Sequence, residues 1–258
     1  MAEVVQLAKP GGSPQHVGGF VMTDAAQDML RSLQLVSEAF GGEITLIAAA
    51  PGMGKTETLH HFKRTRPQAI FHTAVAGEGT PWGLACQLME SLELGAPNSR
   101  DLLDARRTIA EAIGVDGMLL VDEAQYLIKR NPRGADNFEA LEWLRAVRDE
   151  GCFSLAFCGD LALLEVAQKM PQLWRRMKRR VILRHATKPD VVALATLQGI
   201  HDPATVEALY QVARRGGAFG DVANVIDHAR LFAGGGAIQG MHILASIEDL
   251  HLHRMEGK

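Results

Sequence analysis

Two short stretches place chemically capable residues at the ends of apolar runs. The first is Glu43 to Thr56, EITLIAAAPGMGKT, where Ile44, Leu46 and Ile47 lead through three alanines into a glycine-rich turn and then Gly54-Lys55-Thr56. Such a run suits a strand buried on both faces of a parallel sheet. Glycines at 52 and 54 let backbone N–H groups converge on phosphate oxygens, and Thr56 opens a helix whose N-terminus favours an anion. Lys55 is then placed to reach β- and γ-phosphates, and the Thr56 hydroxyl to hold magnesium. The stretch Pro51, Gly52, Met53, Gly54, Lys55, Thr56 and Glu57 is therefore the candidate nucleotide-binding loop. The pattern G-x-x-x-x-G-K-[ST] laid on residues 49–56 has one departure, since Ala49 stands where the first glycine belongs and the turn must accept a Cβ. The alternative is a chance glycine turn before a helix, against which the order of strand, loop and Lys-Thr speaks.

The second stretch is Met118-Leu119-Leu120-Val121, running straight into Asp122-Glu123. Four apolar residues that end in two carboxylates describe a central strand delivering acids to its C-terminal end. Asp122 is the candidate that holds the metal through water, and Glu123 the one that orients or deprotonates the attacking water. The competing reading is a strand that exits into a polar helix cap, because acidic residues favour first turns. A further strand, Phe153 to Cys158, ends at Gly159-Asp160, where a polar side chain can touch the γ-phosphate or its water. A carboxylate there sits near other negative charge, so contact with the water, with a basic residue or with nothing relevant all stay open for Asp160. The segment Trp174-Arg175-Arg176-Met177-Lys178-Arg179-Arg180 reads as a solvated face or a nucleic-acid patch. Its place at a helix end before a short last strand, 181–183, also suits an arginine supplied in trans to a neighbour's γ-phosphate, with Arg180 and Arg179 as candidates.

The elements that must position these residues alternate. Thr23 is an N-cap, and Ala26, Met29, Leu30, Leu33, Val36 and Phe40 recur at helical spacing until Gly41-Gly42 stops the helix. Strands are expected at 69–75 and 153–158, and helices at 82–92, 100–113 and 137–150. From Pro189 the pattern is helical only, with Asp202-Pro203 and Asp221 opening helices and Ile243, Leu244, Ile247 and Leu250 marking a last one. Residues 1–22 read as an extended arm, 23–186 as an α/β nucleotide-binding core and 187–258 as a small all-helical lid. Gly18-Gly19-Phe20 is a candidate wall on the adenine side.

The bulk numbers set limits. A chain of 258 residues with 47% hydrophobic content packs one large domain or a core with a satellite. It has no apolar run of membrane-spanning length and no signal-like N-terminus, so no membrane role and a cytoplasmic location are expected. Cys86, Cys152 and Cys158 form no C-x-x-C pair and read as buried free thiols. His242, His251 and His253 lack metal-ligand spacing and read as surface or packing residues. A formal charge of −3, from 27 basic and 30 acidic residues, leaves any nucleic-acid contact to local basic clusters.

With APGMGKT, LLVDEAQ, a polar strand end, an arginine-rich run and a helical lid in this order, the chain from about Thr23 onward resembles the AAA+ ATPases. LLVDEAQYL, FCGD, PQLWRRMKRRVIL and GGAFGDVANVIDHA look most like the transposition ATPases of the Mu B, TniB and TnsC-like type. The resemblance implies a P-loop NTPase fold with a five-stranded parallel sheet flanked by helices and a lid. It also implies ATP and Mg²⁺ as cofactors, slow ATP hydrolysis stimulated by DNA, and ATP-dependent homo-oligomers, rings or helical filaments, on duplex DNA. Such proteins hold target DNA without sequence specificity and stimulate a transposase. Carried onto this chain, Lys55 and Thr56 bind phosphate and metal, Asp122 and Glu123 serve metal and water, Asp160 takes the sensor position and Arg180 is the candidate finger. Two departures stand out: Ala49, and a lid reading Gly217-Ala218-Phe219-Gly220-Asp221 where many relatives carry a sensor arginine. Arg214 and Arg215 lie just upstream as substitutes. With no helix-turn-helix segment before Thr23, DNA contacts are expected from the core, from Lys129, Arg130 and Arg133 in a loop after the second stretch, with Lys63, Arg64 and Arg66 as alternatives. Solvated surface charge is the bland account of both clusters. Other functional readings are a helicase loader and a nucleotide-gated protein scaffold with no DNA role.

Overall fold

In a computed structural model, which describes residues 20–98, 101–130 and 136–252, helices and strands alternate before the chain becomes wholly helical. The order is α1 (Asp24–Ser37), β1 (Ile44–Ala49), α2 (Lys55–Thr65), β2 (Ile70–Thr73), α3 (Pro81–Ser91), α4 (Leu102–Ile113) and β3 (Met118–Asp122). A 3₁₀ turn (Ala124–Leu127), the short strands β4 (Lys129–Arg130) and β5 (Asp136–Asn137), α5 (Glu139–Gly151), β6 (Ser154–Gly159), α6 (Leu161–Gln168), α7 (Pro171–Arg176) and β7 (Met177–Leu183) follow. Four helices, α8 (Lys188–Leu197), α9 (Pro203–Ala213), α10 (Ala218–Phe232) and α11 (Gly240–Asp249), complete the described chain.

The expected five-stranded parallel sheet is present, in the order β2-β3-β6-β1-β7. Its three central strands are buried along their whole length. Because side chains alternate across a strand, Leu46, Leu119, Val121, Leu155 and Phe157 pack on one face with α3 to α6. Ile47, Leu120, Ala156 and Cys158 pack on the other with Met29 and Leu33 of α1 and Leu59 and Phe62 of α2. A third apolar cluster joins α8 to α11 to Ala49 and Met53 at the end of β1. Asp190, 2% exposed, connects the two regions, since its carboxylate accepts from the Asp24 backbone N–H at 2.6 Å and from the Thr187 hydroxyl at 2.7 Å.

Several expectations are corrected. The first helix ends at Ser37, short of Phe40, which is fully exposed. Its cap residue Glu38 returns its N–H to Gln34 and Val36, and the chain then turns through two positive-φ glycines. Gly42 is required there, for a Cβ would lie 2.2 Å from the Phe153 carbonyl oxygen. Cys152 is exposed, not buried, because it ends α5 in the left-handed conformation at φ 53°; all three cysteines are free.

The largest correction concerns the basic run. The last strand begins at Met177, so Lys178, Arg179 and Arg180 belong to the sheet and not to a helix end. An edge strand tolerates this composition because half its positions face water and charge discourages further strand pairing. Met177 and Val181 are buried while Lys178 and Arg180 are exposed. The register slips by one residue at Lys178, opposite Ile44 and Thr45, as a bulge does. Lys129 and Arg130 are likewise paired, antiparallel to Asn137 and Asp136, where a loop was expected. Arg133 lies outside the described residues, as do Gly18, Gly19 and His253.

Candidate nucleotide-binding site

The C-terminal ends of β1, β3 and β6 meet where the chain turns back over the sheet, the place where parallel α/β sheets bind ligands. Ala49 is the last residue of β1, extended and opposite Leu183. Any L-residue adopts that backbone, which is why a Cβ fits where the motif has glycine. The conformational demand falls instead on Gly52 and Gly54, with φ of 73° and 76°. A Cβ on Gly54 would point into open space, so the cradle is free to receive an oxyanion. Lys55, only 8% exposed, spans the loop, donating from Nζ to the carbonyls of Ala49 at 3.0 Å and Ala50 at 3.2 Å. Met53 is buried against the C-terminal helices, while Pro51, Gly52, Thr56 and Glu57 are exposed.

Across the sheet the two stretches converge, although β6 separates β1 from β3. The Thr56 hydroxyl donates to Asp122 Oδ2 at 2.6 Å, and Asp122 Oδ1 accepts from the Glu123 N–H at 2.9 Å. Asp122 is 1% exposed. A hydroxyl and a carboxylate oxygen in contact at the head of a phosphate cradle are the hard donors that magnesium takes while keeping most of its waters. The residues present therefore fit both a nucleotide phosphate chain and its metal.

Two further side chains lie at this site that carry no site role in the sequence reading, Cys158 and Gln125. Cys158 is fully buried beside the Asp122 carboxylate. Burial, then the Asp122 charge, pushes its thiol well above the ordinary range, with Lys55 acting the other way, so it stays neutral. Gln125 contacts both Glu123 and the backbone of Asp160. Only the position of Cys158 at a strand end, and of Gln125 two residues after Glu123, hinted at them.

The other candidates are dispersed. Asp160 caps α6, its carboxylate accepting from Ala162 N at 2.9 Å and Leu163 N at 3.3 Å. Arg179 is held by Asp28 of α1, pairing with the carboxylate and donating to the backbone carbonyl. Arg180 lies 4.0 Å over the Trp174 ring and donates to the Trp174 carbonyl at 2.6 Å from an exposed position. Arg66 pairs with Glu38 at 2.9 Å, whereas Lys63 and Arg64 flank a shallow groove with Glu57, His60 and Pro67. Phe20 stacks on His61 of α2, ring centres 4.0 Å apart. Burial and then Arg64 lower the pKa of that imidazole. Arg214 lies 5.9 Å over Tyr210.

The C-terminal helices reach the loop through backbone. Gly220 N donates to Gly52 O at 3.1 Å, and Gly217 N donates to Asp221 Oδ2 at 3.1 Å. The contact is so close that a Cβ on Gly52 would fall 1.8 Å from the Gly217 carbonyl oxygen. Gly52→Ala therefore has to push the first turn of α10 away and also adopt the left-handed region, a strain of about 1–2 kcal/mol before any clash. We expect a melting point about 5–15 °C lower and weakened nucleotide binding; an unchanged melting curve would show that loop and helix are not in contact.

The residues 38–166 match the family model described as an AAA domain, and residues 175–250 match that of the Mu B transposition protein, C terminal. The solved structures agree on the fold. An ORC2 protein of Aeropyrum pernix in its ADP form superposes with a TM-score of 0.61 at 16% identity, covering 93% of this chain and 71% of that one. The RuvB Holliday junction branch migration motor of Thermotoga maritima does so with a TM-score of 0.55 at 18% identity, over 92% and 72%. With the motif residues gathered at the ends of a sheet of this order, the chain belongs to the AAA+ ATPases.

Within them it is similar to the Mu B proteins. It is 26% identical over 208 residues to the ATP-dependent target DNA activator B of Escherichia phage Mu, and equally so to that of phage D108. The match covers 77% of this chain but spans only 62% of the length of those relatives.

Proposed function

We propose that this protein is an ATP-dependent DNA-binding protein that assembles on duplex target DNA, regulates or stimulates a transposase, and hydrolyses ATP to time its disassembly. The observation that carries the reading is the 2.6 Å bond from Thr56 to Asp122, which joins phosphate loop and acidic strand end into one metal-and-phosphate site in a Mu B-like chain. Bound ATP and its magnesium supply the reactive phosphoanhydride and neutralise charge developing on the phosphates. The chain's own residues do the rest. Backbone N–H groups of the 51–56 turn and Lys55 orient the phosphates, and Thr56 and Asp122 hold the metal's place. Glu123 accepts the proton of the attacking water.

Residues 23–186 act as the nucleotide-binding core and 187–258 as the lid. Contact between Gly220 and Gly52 lets the lid follow the state of the loop without a sensor arginine. Arg180, exposed on the edge strand, is the finger offered to a neighbouring subunit, since Arg179 is engaged by Asp28. Its guanidinium must leave Trp174 to act. Lys129, exposed on β4, together with Arg130 and Arg133, contacts DNA phosphates, giving affinity that falls with salt and reads little sequence. Among the described residues no helix is long and apolar enough to cross a membrane.

The test is ATP turnover with and without duplex DNA at two salt concentrations. Stimulation that fades as salt rises, and that Lys129→Ala combined with Arg130→Ala diminishes without changing basal turnover, is the expected result. Turnover indifferent to DNA would favour the protein scaffold and make the three cations ordinary surface.

A further inference from the structure

Glu123 is the first residue after β3, and its backbone stands in the left-handed region at φ 52°. For a residue with a Cβ that conformation is strained, and strain of this kind persists where the surroundings hold it in place. Its carboxylate is held by a neighbour, not by the metal-binding pair: Gln125 Nε2 donates to Glu123 Oε2. The other end of the same amide, Gln125 Oε1, accepts from the Asp160 backbone N–H at 3.1 Å. The amide has one allowed orientation here. Turned over, it would set its carbonyl oxygen against a carboxylate and its NH₂ against an N–H. Gly159 completes the arrangement, because a Cβ there would lie 2.5 Å from Gln125 Oε1.

We infer that Gln125 is a positioning residue for hydrolysis: its amide bridges the base Glu123 to the Gly159–Asp160 turn, anchors one carboxylate oxygen and leaves Oε1 to take the proton from water. This rests on Glu123 being the base. It also accounts for Asp160, whose side chain is occupied in capping α6. What this turn contributes to the base is its backbone N–H, delivered through Gln125, and any shift of the turn is passed to Glu123.

The experiment compares Gln125→Met, which keeps the length of the side chain and removes both hydrogen bonds, with Gln125→Ala, Glu123→Gln and the Gln125→Met/Glu123→Gln pair. Steady-state and single-turnover ATP hydrolysis are read alongside direct nucleotide binding and thermal melting. A freely rotating base loses much of the advantage of its orientation, so Gln125→Met should lower kcat about 10- to 100-fold with the KM for ATP, nucleotide affinity and melting point unchanged. On the Glu123→Gln background it should cost nothing more, since a residue that acts only through its neighbour shows no independent effect. If Gln125→Met hydrolyses at the normal rate, or faster, or if its loss multiplies fully with that of Glu123→Gln, the positioning role is overturned. A Gln125→Met protein that melts early while Gln125→Ala behaves the same way also overturns it, in favour of a packing role. Normal hydrolysis by Glu123→Gln itself is a different failure, which removes the base and leaves the bridge without a function.

Discussion

Replacing Lys55 by alanine is expected to abolish both nucleotide binding and assembly on DNA. The ammonium is nearly buried and already desolvated between the carbonyls of Ala49 and Ala50, so moving it to a phosphate exchanges neutral acceptors for a charged one. A hydrogen bond to a charged group is worth about 1.5–3 kcal/mol. Two such bonds correspond to a loss of affinity of about 10²-fold or more. Assembly depends on the γ-phosphate ordering the subunit interface in the proposed scheme, so it should disappear with binding. Fluorescent nucleotide titration and DNA co-sedimentation measure the two separately. Normal DNA assembly by Lys55→Ala would sink the mechanism, because the switched quantity would then not be governed by nucleotide. A melting curve guards the result, since the variant leaves two carbonyls without their donor.

Glu123→Gln separates binding from hydrolysis. The substitution keeps shape and removes the basic oxygen, and loss of a positioned general base costs about 10²- to 10⁴-fold in rate. Lys55, Thr56 and Asp122 are untouched, so ATP affinity should remain within a few-fold of the original. Hydrolysis times disassembly in this scheme, and the variant should therefore form complexes on duplex DNA that persist long after the parent protein has left. Dissociation after dilution into competitor DNA is the measurement. Complexes that fall apart at the parent's rate would show that release is not timed by hydrolysis, and normal turnover would remove Glu123 from the chemistry.

Period and punctuation alone made much of the architecture legible. Strands at 44–49, 118–122 and 154–159 are apolar except at Thr45, Asp122 and Ser154 because they are buried on both faces, and the cap at Thr23 and the Asp202-Pro203 opening mark helices by local chemistry. The site was legible to the extent that its signals are local: a glycine turn before Lys-Thr, and carboxylates at the end of an apolar run. What the sequence cannot encode locally is which strand ends meet. The Thr56–Asp122 bond depends on β6 entering between β1 and β3, a matter of sheet order. Strand β7 starts earlier than its composition suggests because edge position, not composition, decides whether Lys178 to Arg180 can pair in a sheet. The same holds for Arg179, free on paper but held by Asp28 across α1. Gly52 signals a turn in any sequence, yet only packing shows that the first turn of α10 occupies the place of its missing Cβ. Gln125 is marked in the sequence only by lying two residues after Glu123, since its amide becomes a bridge only when the Asp160 N–H, from a distant segment, arrives at its other end. Local residue chemistry determined the elements and the phosphate loop of this chain, and long-range packing decided which of its polar groups are engaged and which are left to act.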